Sequence, residues 1–156
     1  MDRFMMKVVI SYPTKEEEKE ILRSHIMPSQ QGISPVISPK DILHAREVVK
    51  EVYIDGKIEN YIADIVFATR FPQDYNLNDL KPFIAYGASP RATINLALAS
   101  RALAFIKRRG YVIPEDVREV CMDVLRHRVG LTYEAEAENI KAEDLVTEIV
   151  NKIEVP

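Results

Sequence analysis

The sequence predicts a mostly α-helical fold, a helical bundle preceded by one short β-strand. Apolar residues recur at the spacing of helix faces in most segments after residue 14, whereas a single run of apolar and β-branched residues lies before it. Capping residues, prolines and glycines separate the helical segments. The chain has 156 residues, of which 47% are hydrophobic, so it is long and apolar enough to bury a core.

The strand is predicted for residues 4–12, FMMKVVISY, and Pro13 ends it. A lone strand leaves N–H and C=O groups unpaired, and this chain contains no partner sequence for it. We therefore expect the chain to be the C-terminal piece of a larger α/β protein that holds the rest of the sheet; pairing with a second copy of the strand is the alternative. Thr14 and Glu17 have the spacing of a capping box, which predicts that a helix follows.

A loop rich in Pro, Ser, Gln and Gly covers residues 27–38 and is the best candidate for an internal boundary. It divides the chain into a strand-and-helix unit over residues 1–30 and a helical domain over residues 31–156. Helices of the second unit are predicted after Ser38, over residues 57–70, after Ser89, from Pro114 and over residues 142–153, with a polar loop over residues 71–86. Their apolar stripes predict a core that includes Ile65, Leu96, Leu103, Val120 and Leu125.

The helix after Ser89 begins with a cation. Ser89 is a good N-cap and Pro90 a good first residue, but Arg91 then lies at the positive end of the helix dipole, which costs about 0.3–1 kcal/mol if exposed. The other well-capped helices begin with Asp or Glu. Free N–H groups together with a guanidinium make an anion site suited to a phosphate. The alternative is a surface arginine that pairs with an acid elsewhere.

Four segments carry a family resemblance. They are DRFMMKVVISYPTKEEEKEIL (2–22), GASPRA (87–92) at the start of a long alanine-rich helix, YVIPEDV (111–117) and VLRHRVGL (124–131). Together they resemble the C-terminal lid of MoxR-family AAA+ ATPases, with the end of the ATPase core before it. The resemblance runs along nearly the whole chain and implies a helical bundle of the AAA+ lid type, preceded by one strand and one helix of a truncated α/β core.

The resemblance also implies roles for individual residues. Arg91 matches the sensor-2 arginine, which faces the γ-phosphate of ATP, and Ser89 and Ala92 would lie on the phosphate side. Arg3 matches the arginine finger, which reaches the ATP of a neighbouring subunit. Such arginines stabilise charge on the transferred phosphoryl group.

The activity that the resemblance implies belongs to a longer protein. That protein would be a cytoplasmic homo-hexamer that uses ATP and Mg²⁺ to remodel or mature client proteins, often alongside proteins with a von Willebrand A domain. The present chain has no G-x-x-x-x-G-K-[ST] loop and no apolar strand ending in Asp-Glu, so we expect it to bind no ATP tightly and to hydrolyse none alone. The alternative is a free-standing helical adaptor that binds protein partners without any nucleotide.

Other classes of protein have little support. One cysteine, Cys121, excludes an internal disulfide and fits a core position; the three histidines are isolated, so no metal site is expected. The basic turns at residues 107–109 and 126–128 could meet nucleic acid, but their positions in last turns of helices, and a net charge of −3, favour an ordinary dipole role. Apolar runs are too short for a membrane span, and the N-terminus does not resemble a signal peptide.

Overall fold

The computed structural model describes residues 2–26 and 34–156, and confirms a mostly α-helical fold. Within these ranges the helices are α1 (Lys15–Ile26), α2 (Pro39–Glu51), α3 (Gly56–Arg70), α4 (Pro90–Ile106), α5 (Pro114–Leu125), α6 (Tyr133–Ala137) and α7 (Ala142–Lys152), and the strands are β1 (Ile84–Tyr86) and β2 (Gly130–Leu131). Most of the loop predicted at 27–38 lies outside the described residues. None of the described helices has the length and apolar character needed to cross a membrane.

The predicted strand at residues 4–12 is wrong. From residue 6 this segment has no regular secondary structure and makes no strand pairing within the described residues; the Lys7 N–H instead donates to the Asp123 carbonyl at 2.8 Å. An extended segment becomes a strand only beside a ladder partner. The small sheet lies elsewhere, where β1 and β2 pair antiparallel through Ile84 with Leu131 and Tyr86 with Gly130.

The region predicted to be a polar loop and the acidic region after β2 both contain short helical elements. The region 71–86 holds two 3₁₀ turns, Pro72–Tyr75 and Asn78–Phe83, before it enters β1. The acidic region after β2 forms α6, because the Thr132 hydroxyl accepts from the Ala135 N–H at 3.3 Å and caps its first turn. Both elements depend on local capping or proline geometry rather than on a long apolar period.

The capping predictions are mostly confirmed. The Ser38 side chain accepts from the Asp41 N–H, and the Asp41 carboxylate accepts from the Ser38 N–H at 2.7 Å, which forms a capping box at α2. Thr14 and Glu17 make the same exchange at α1. The left-handed residue after α4 is Arg108, with φ 58°.

The core lies between α3, α4, α5 and α7. Ile65, Leu96 and Leu125 are fully buried and Val120 nearly so, as predicted. Leu103 is only partly buried, although it packs against this core. The apolar stripe predicted in α3 is buried throughout, at Ile58, Tyr61, Ile62, Ile65 and Val66.

The N-terminal elements contrast with this core. Every residue of α1 is exposed, and so are most of the apolar side chains before it. Exposed large apolar residues here include Val8, Val9, Ile10, Tyr12, Ile21, Leu22 and Ile26. These apolar side chains are open to solvent in the described chain.

Candidate functional site at the start of α4

Gly87 and Ala88 fix the backbone that leads into α4. A Cβ atom on Gly87 would lie 2.4 Å from the Thr69 carbonyl oxygen at the end of α3, so only glycine allows this approach without a shift. The approach lets the Ala88 N–H donate to the Thr69 hydroxyl at 2.9 Å, in a buried position. The start of α4 is therefore held against the end of α3 by close packing and a buried hydrogen bond.

Ser89 occupies the N-cap position but does not use its side chain as a cap. Its backbone is extended, with ψ 167°, and Pro90 follows as the first helical residue. The hydroxyl donates instead to the Asp2 carboxylate, at 3.1 Å from Oδ2 and 3.3 Å from Oδ1. The first turn of α4 thus lacks the side-chain cap and the acidic residue that most other helices of the described chain have.

Arg91 extends from this first turn into solvent. Its side chain is 50% exposed, and one guanidinium nitrogen lies 3.9 Å from Oδ2 of Asp2. An exposed pair at that distance contributes little, about 0–1 kcal/mol. The alternative prediction is a surface arginine paired with an acid, and the structure shows such a pair only as a weak contact with Asp2. The guanidinium therefore keeps N–H donors available for an incoming anion.

Ala92 is fully buried, and its N–H donates to the Ser89 carbonyl at 2.9 Å. Its methyl group packs in the core beneath the helix start. Of the residues predicted on the phosphate side, Ser89 and Arg91 therefore present side-chain donors near the surface, whereas Ala92 fills space.

Arg128 is a site residue that the sequence analysis missed. Its side chain is 1% exposed, and its Nε donates to Oδ1 of Asp2 at 3.1 Å. The two terminal nitrogens donate to the carbonyls of Asp2 (3.1 Å), Met5 (3.2 Å), Phe4 and Val124. Its place at the end of the basic turn 126–128 predicted only a dipole role. The available sequence signal was that Arg128 lies within VLRHRVGL (124–131), one of the four segments that carry the family resemblance.

Asp2 connects these cations. Its side chain is 48% exposed and lies between Ser89, Arg91 and Arg128. Partial burial opposes ionisation of this carboxyl group, but the hydrogen bonds from Ser89 and Arg128 and the charge of both arginines lower its pKa overall. The carboxylate is therefore ionised at neutral pH and occupies part of the space in front of α4.

Arg3 follows Asp2 and is exposed. The residues on either side of it are anchored, because Arg128 bonds the Asp2 and Phe4 carbonyls and His127 Nε2 lies 3.2 Å from the Phe4 carbonyl oxygen. The structure thus brings the backbone of Arg3 to the start of α4, while leaving its side chain in solvent.

The basic turns considered for nucleic acid are largely paired within the chain. Arg109 binds the fully buried Asp116 carboxylate through both terminal nitrogens, one at 2.7 Å, and Lys107 pairs with Glu119. Arg126 pairs with Asp123 at 2.9 Å. These ion pairs leave few of the predicted cations free for phosphates of a nucleic acid.

Cys121 is buried on the α5 face, as predicted, and burial raises the pKa of its thiol to about 12. A thiol with that pKa is protonated at neutral pH and is a poor nucleophile. Its position is that of a small core residue.

Comparison with known proteins assigns part of this chain to a family. Residues 78–149, which include the start of α4 and Arg128, match the AAA lid domain. The match begins in the second 3₁₀ turn and extends into α7. The candidate site therefore lies within a recognised lid domain, apart from Asp2 and Arg3.

Similar proteins extend the match over the whole chain. Chaperone MoxR1 of Mycobacterium tuberculosis is 40% identical over 99% of this chain and 41% of its own length. Protein YeaC of Bacillus subtilis, described as uncharacterized, is 35% identical over 100% of this chain and 46% of its own length. Protein MoxR of Paracoccus denitrificans is 31% identical over 84% and 42%, respectively. The chain thus spans less than half the length of these relatives.

A solved structure agrees with these matches. The crystal structure of a proposed ATPase from Cytophaga hutchinsonii superposes with a TM-score of 0.94 at 42% sequence identity, over 99% of this chain and 47% of that one. The two chains are therefore similar in both fold and sequence.

Proposed function

Since the chain corresponds to the C-terminal region of MoxR-family AAA+ ATPases, we propose that the start of α4 forms the lid side of an ATP site. In this proposal Arg91 is the sensor-2 residue and donates to the γ-phosphate, and the Ser89 hydroxyl lies beside it. ATP and Mg²⁺ would be held mainly by the half of the longer protein that carries the phosphate-binding loop, and the residues of this chain fit only the phosphate end of the nucleotide.

The observation that carries the proposal is the chemistry of the first turn of α4. It combines uncapped backbone N–H groups, a half-exposed guanidinium, and a carboxylate that arrives from another part of the chain. A carboxylate attracted to that position indicates that an anion is stabilised there. Asp2 lies close to where a phosphate oxygen would be bound, and its 3.9 Å distance from Arg91 leaves that arginine free to change partner.

Arg3 is proposed as the arginine finger. Its anchored backbone and exposed side chain suit a residue that reaches outside its own subunit. An arginine that acts this way stabilises the transition state and contributes about 10³–10⁵ in rate in GTPase examples. Because it would act on a neighbour's nucleotide, the proposal requires a closed ring, and a homo-hexamer is the form that we propose.

The exposed apolar side chains of residues 8–12 and α1 support a longer functional unit. Val9, Ile10 and Tyr12 are between 60% and 94% exposed, and Ile21 and Leu22 are more than half exposed. Many exposed large apolar side chains in a short stretch of chain favour a contact with another protein region. We propose that residues 1–30 complete the nucleotide-binding core and that residues 31–156 form the lid.

The geometry does not indicate which process ATP would drive. We propose remodelling or maturation of client proteins, because one relative is named a chaperone. A cytoplasmic location and clients with a von Willebrand A domain are proposed from the family resemblance alone. A helical adaptor without a nucleotide role remains the second candidate, since the same exposed apolar side chains would also suit a protein partner.

The test uses a protein in which this chain follows a nucleotide-binding half. Replacing Arg91 by alanine should weaken ATP binding or lower turnover by at least about tenfold, whereas the control Arg46→Ala, which removes an exposed arginine on α2, should leave both unchanged. Calorimetry measures binding, and malachite-green assay measures phosphate release. Equal behaviour of the two variants would remove the sensor-2 assignment and favour the adaptor.

The isolated chain provides a second test. Without the phosphate-binding loop it should show no turnover above background and no micromolar affinity for ATP. Measured turnover in the isolated chain would contradict the assignment of the catalytic machinery to the missing half.

A further inference from the structure

We propose that Arg128 is a positioning residue that holds Arg3 in register with Arg91, so that the nucleotide states of two adjacent subunits are coupled. The inference rests on the proposed function for the roles of Arg3 and Arg91. The contacts of Arg128 with the N-terminal segment stand independently of it.

The first step is the geometry of the bonds that Arg128 makes. Its guanidinium is almost fully buried and bonds the carbonyls of Asp2, Phe4 and Met5, which lie on both sides of Arg3. A planar guanidinium with several fixed donors restrains the direction of a backbone better than an ammonium group does. Arg128 therefore determines where the Arg3 side chain leaves the surface.

The second step is the shared carboxylate. Asp2 accepts from Arg128 and from Ser89 and lies 3.9 Å from Arg91. A γ-phosphate that binds Arg91 introduces negative charge close to the Asp2 carboxylate, and like charges at short range repel. The carboxylate then moves or exchanges partners, and Arg128 transmits the change to the adjacent Arg3.

The third step is the direction of the signal. Arg91 would respond to ATP in its own subunit, whereas Arg3 acts on the ATP of the next one. Because Asp2 and Arg3 are adjacent in sequence, a change at Asp2 connects the occupancy of one site with the catalytic competence of its neighbour. The coupled element is the segment 2–5, which the buried guanidinium of Arg128 holds in place.

The experiment compares Arg128→Lys, Asp2→Asn, Arg3→Ala and the control Arg118→Lys in the longer protein. Arg118 also bonds a backbone carbonyl, that of Val150 at 3.0 Å, but lies away from the N-terminal segment. Arg128→Lys should lower kcat nearly as far as Arg3→Ala while leaving the Kd for ATP within about twofold of the parent. Asp2→Asn perturbs a half-exposed group, so it tests the link even if a change at Arg128 impairs folding.

Two further measurements separate positioning from loss of structure. Hydrogen exchange at the Lys7 amide, which donates to Asp123, should accelerate in Arg128→Lys and not in Arg118→Lys. The second measurement uses mixed rings of Arg128→Lys and Arg91→Ala subunits. The Arg91→Ala subunits keep Arg3 and Arg128, so they should restore turnover at the ATP sites of neighbouring Arg128→Lys subunits, because the arginine finger acts across the interface.

The possible results lead to different conclusions. Unchanged exchange at Lys7 and unchanged kcat in Arg128→Lys would overturn the positioning role. A loss of activity that intact neighbours do not restore would show a structural defect and overturn it as well. If Arg3→Ala and Arg91→Ala are both fully active, the proposed function fails, whereas faster exchange at Lys7 would still demonstrate the anchoring by Arg128.

Discussion

Replacing Gly87 by alanine tests the packing that fixes the start of α4. The new Cβ atom would lie 2.4 Å from the Thr69 carbonyl oxygen and 2.5 Å from its carbon, both of which are backbone atoms at the end of α3. Neither atom can rotate away, so α3 and the loop before α4 must separate. The buried bond from the Ala88 N–H to the Thr69 hydroxyl would lengthen as a result.

The magnitude follows from two opposing effects. Overpacking at a rigid contact costs about 1–3 kcal/mol, and the upper end applies because the obstacle is backbone. The loss of glycine flexibility in the unfolded chain offsets about 0.4–1 kcal/mol. The expected net loss is about 2 kcal/mol, which lowers Tm by about 4–8 °C for a chain of this size.

The chain provides matched controls for this substitution. At Gly110 an added Cβ meets nothing within 4 Å, so Gly110→Ala should keep or slightly raise Tm. At Gly130 the obstacle is the ring of Tyr86, which is 68% exposed and can turn away, so Gly130→Ala should lie between the other two. Thermal melting followed by circular dichroism measures all three, and equal Tm values for Gly87→Ala and Gly110→Ala would refute the close approach as a constraint.

Three other predictions concern the core and its ion pairs. Leu96→Ala should lower the free energy of unfolding by about 2–5 kcal/mol in denaturant melts, because Leu96 is fully buried. Arg91→Ala should leave the free energy of unfolding unchanged or slightly higher. Similar losses for the two variants would show that Arg91 has a structural role. Burial opposes ionisation of Asp116, but Arg109 and the Ile113 N–H lower the pKa of this carboxyl group overall. The ionised carboxylate therefore stabilises the fold fully above the ordinary pKa of about 3.9, and this stabilisation is lost as pH falls through the lower pKa of the folded state. The Tm difference between the parent and Asp116→Asn should therefore shrink as pH falls below about 4, and a constant difference would exclude ionisation as its source. Cys121 should react with a thiol reagent at the rate of unfolding rather than as a free thiol, and rapid labelling of the native chain would contradict its burial.

The elements that the sequence predicted well are those with signals local to the chain. Apolar spacing in α3 and the capping box at Ser38 involve residues within a few positions of one another, and both are present in the structure. The cation in the first turn of α4 was equally visible, because the other helices supplied the comparison. Its proposed partner, a phosphate, came from the family resemblance and from general helix electrostatics.

The features that the sequence did not reveal depend on distant residues. The apolar run at 4–12 has strand composition, but strand formation requires a partner that the described residues do not provide. Arg128 resembles an ordinary last-turn cation until the fold brings it to the N-terminal segment, 126 positions away from Asp2. Leu103 has the right spacing for the core and packs against it, yet its side chain stays partly exposed.

The anchoring of the N-terminal segment by Arg128 has a consequence for how freely that segment can vary. Three of its contacts are to carbonyl oxygens, which every amino acid supplies, and only the one to Asp2 also involves a side chain. Positions 4 and 5 can therefore change identity without loss of the attachment, while position 2 needs an acceptor of the same reach. A library randomised at these positions would separate the two kinds of requirement: broad tolerance at Phe4 and Met5, and a narrow choice at Asp2.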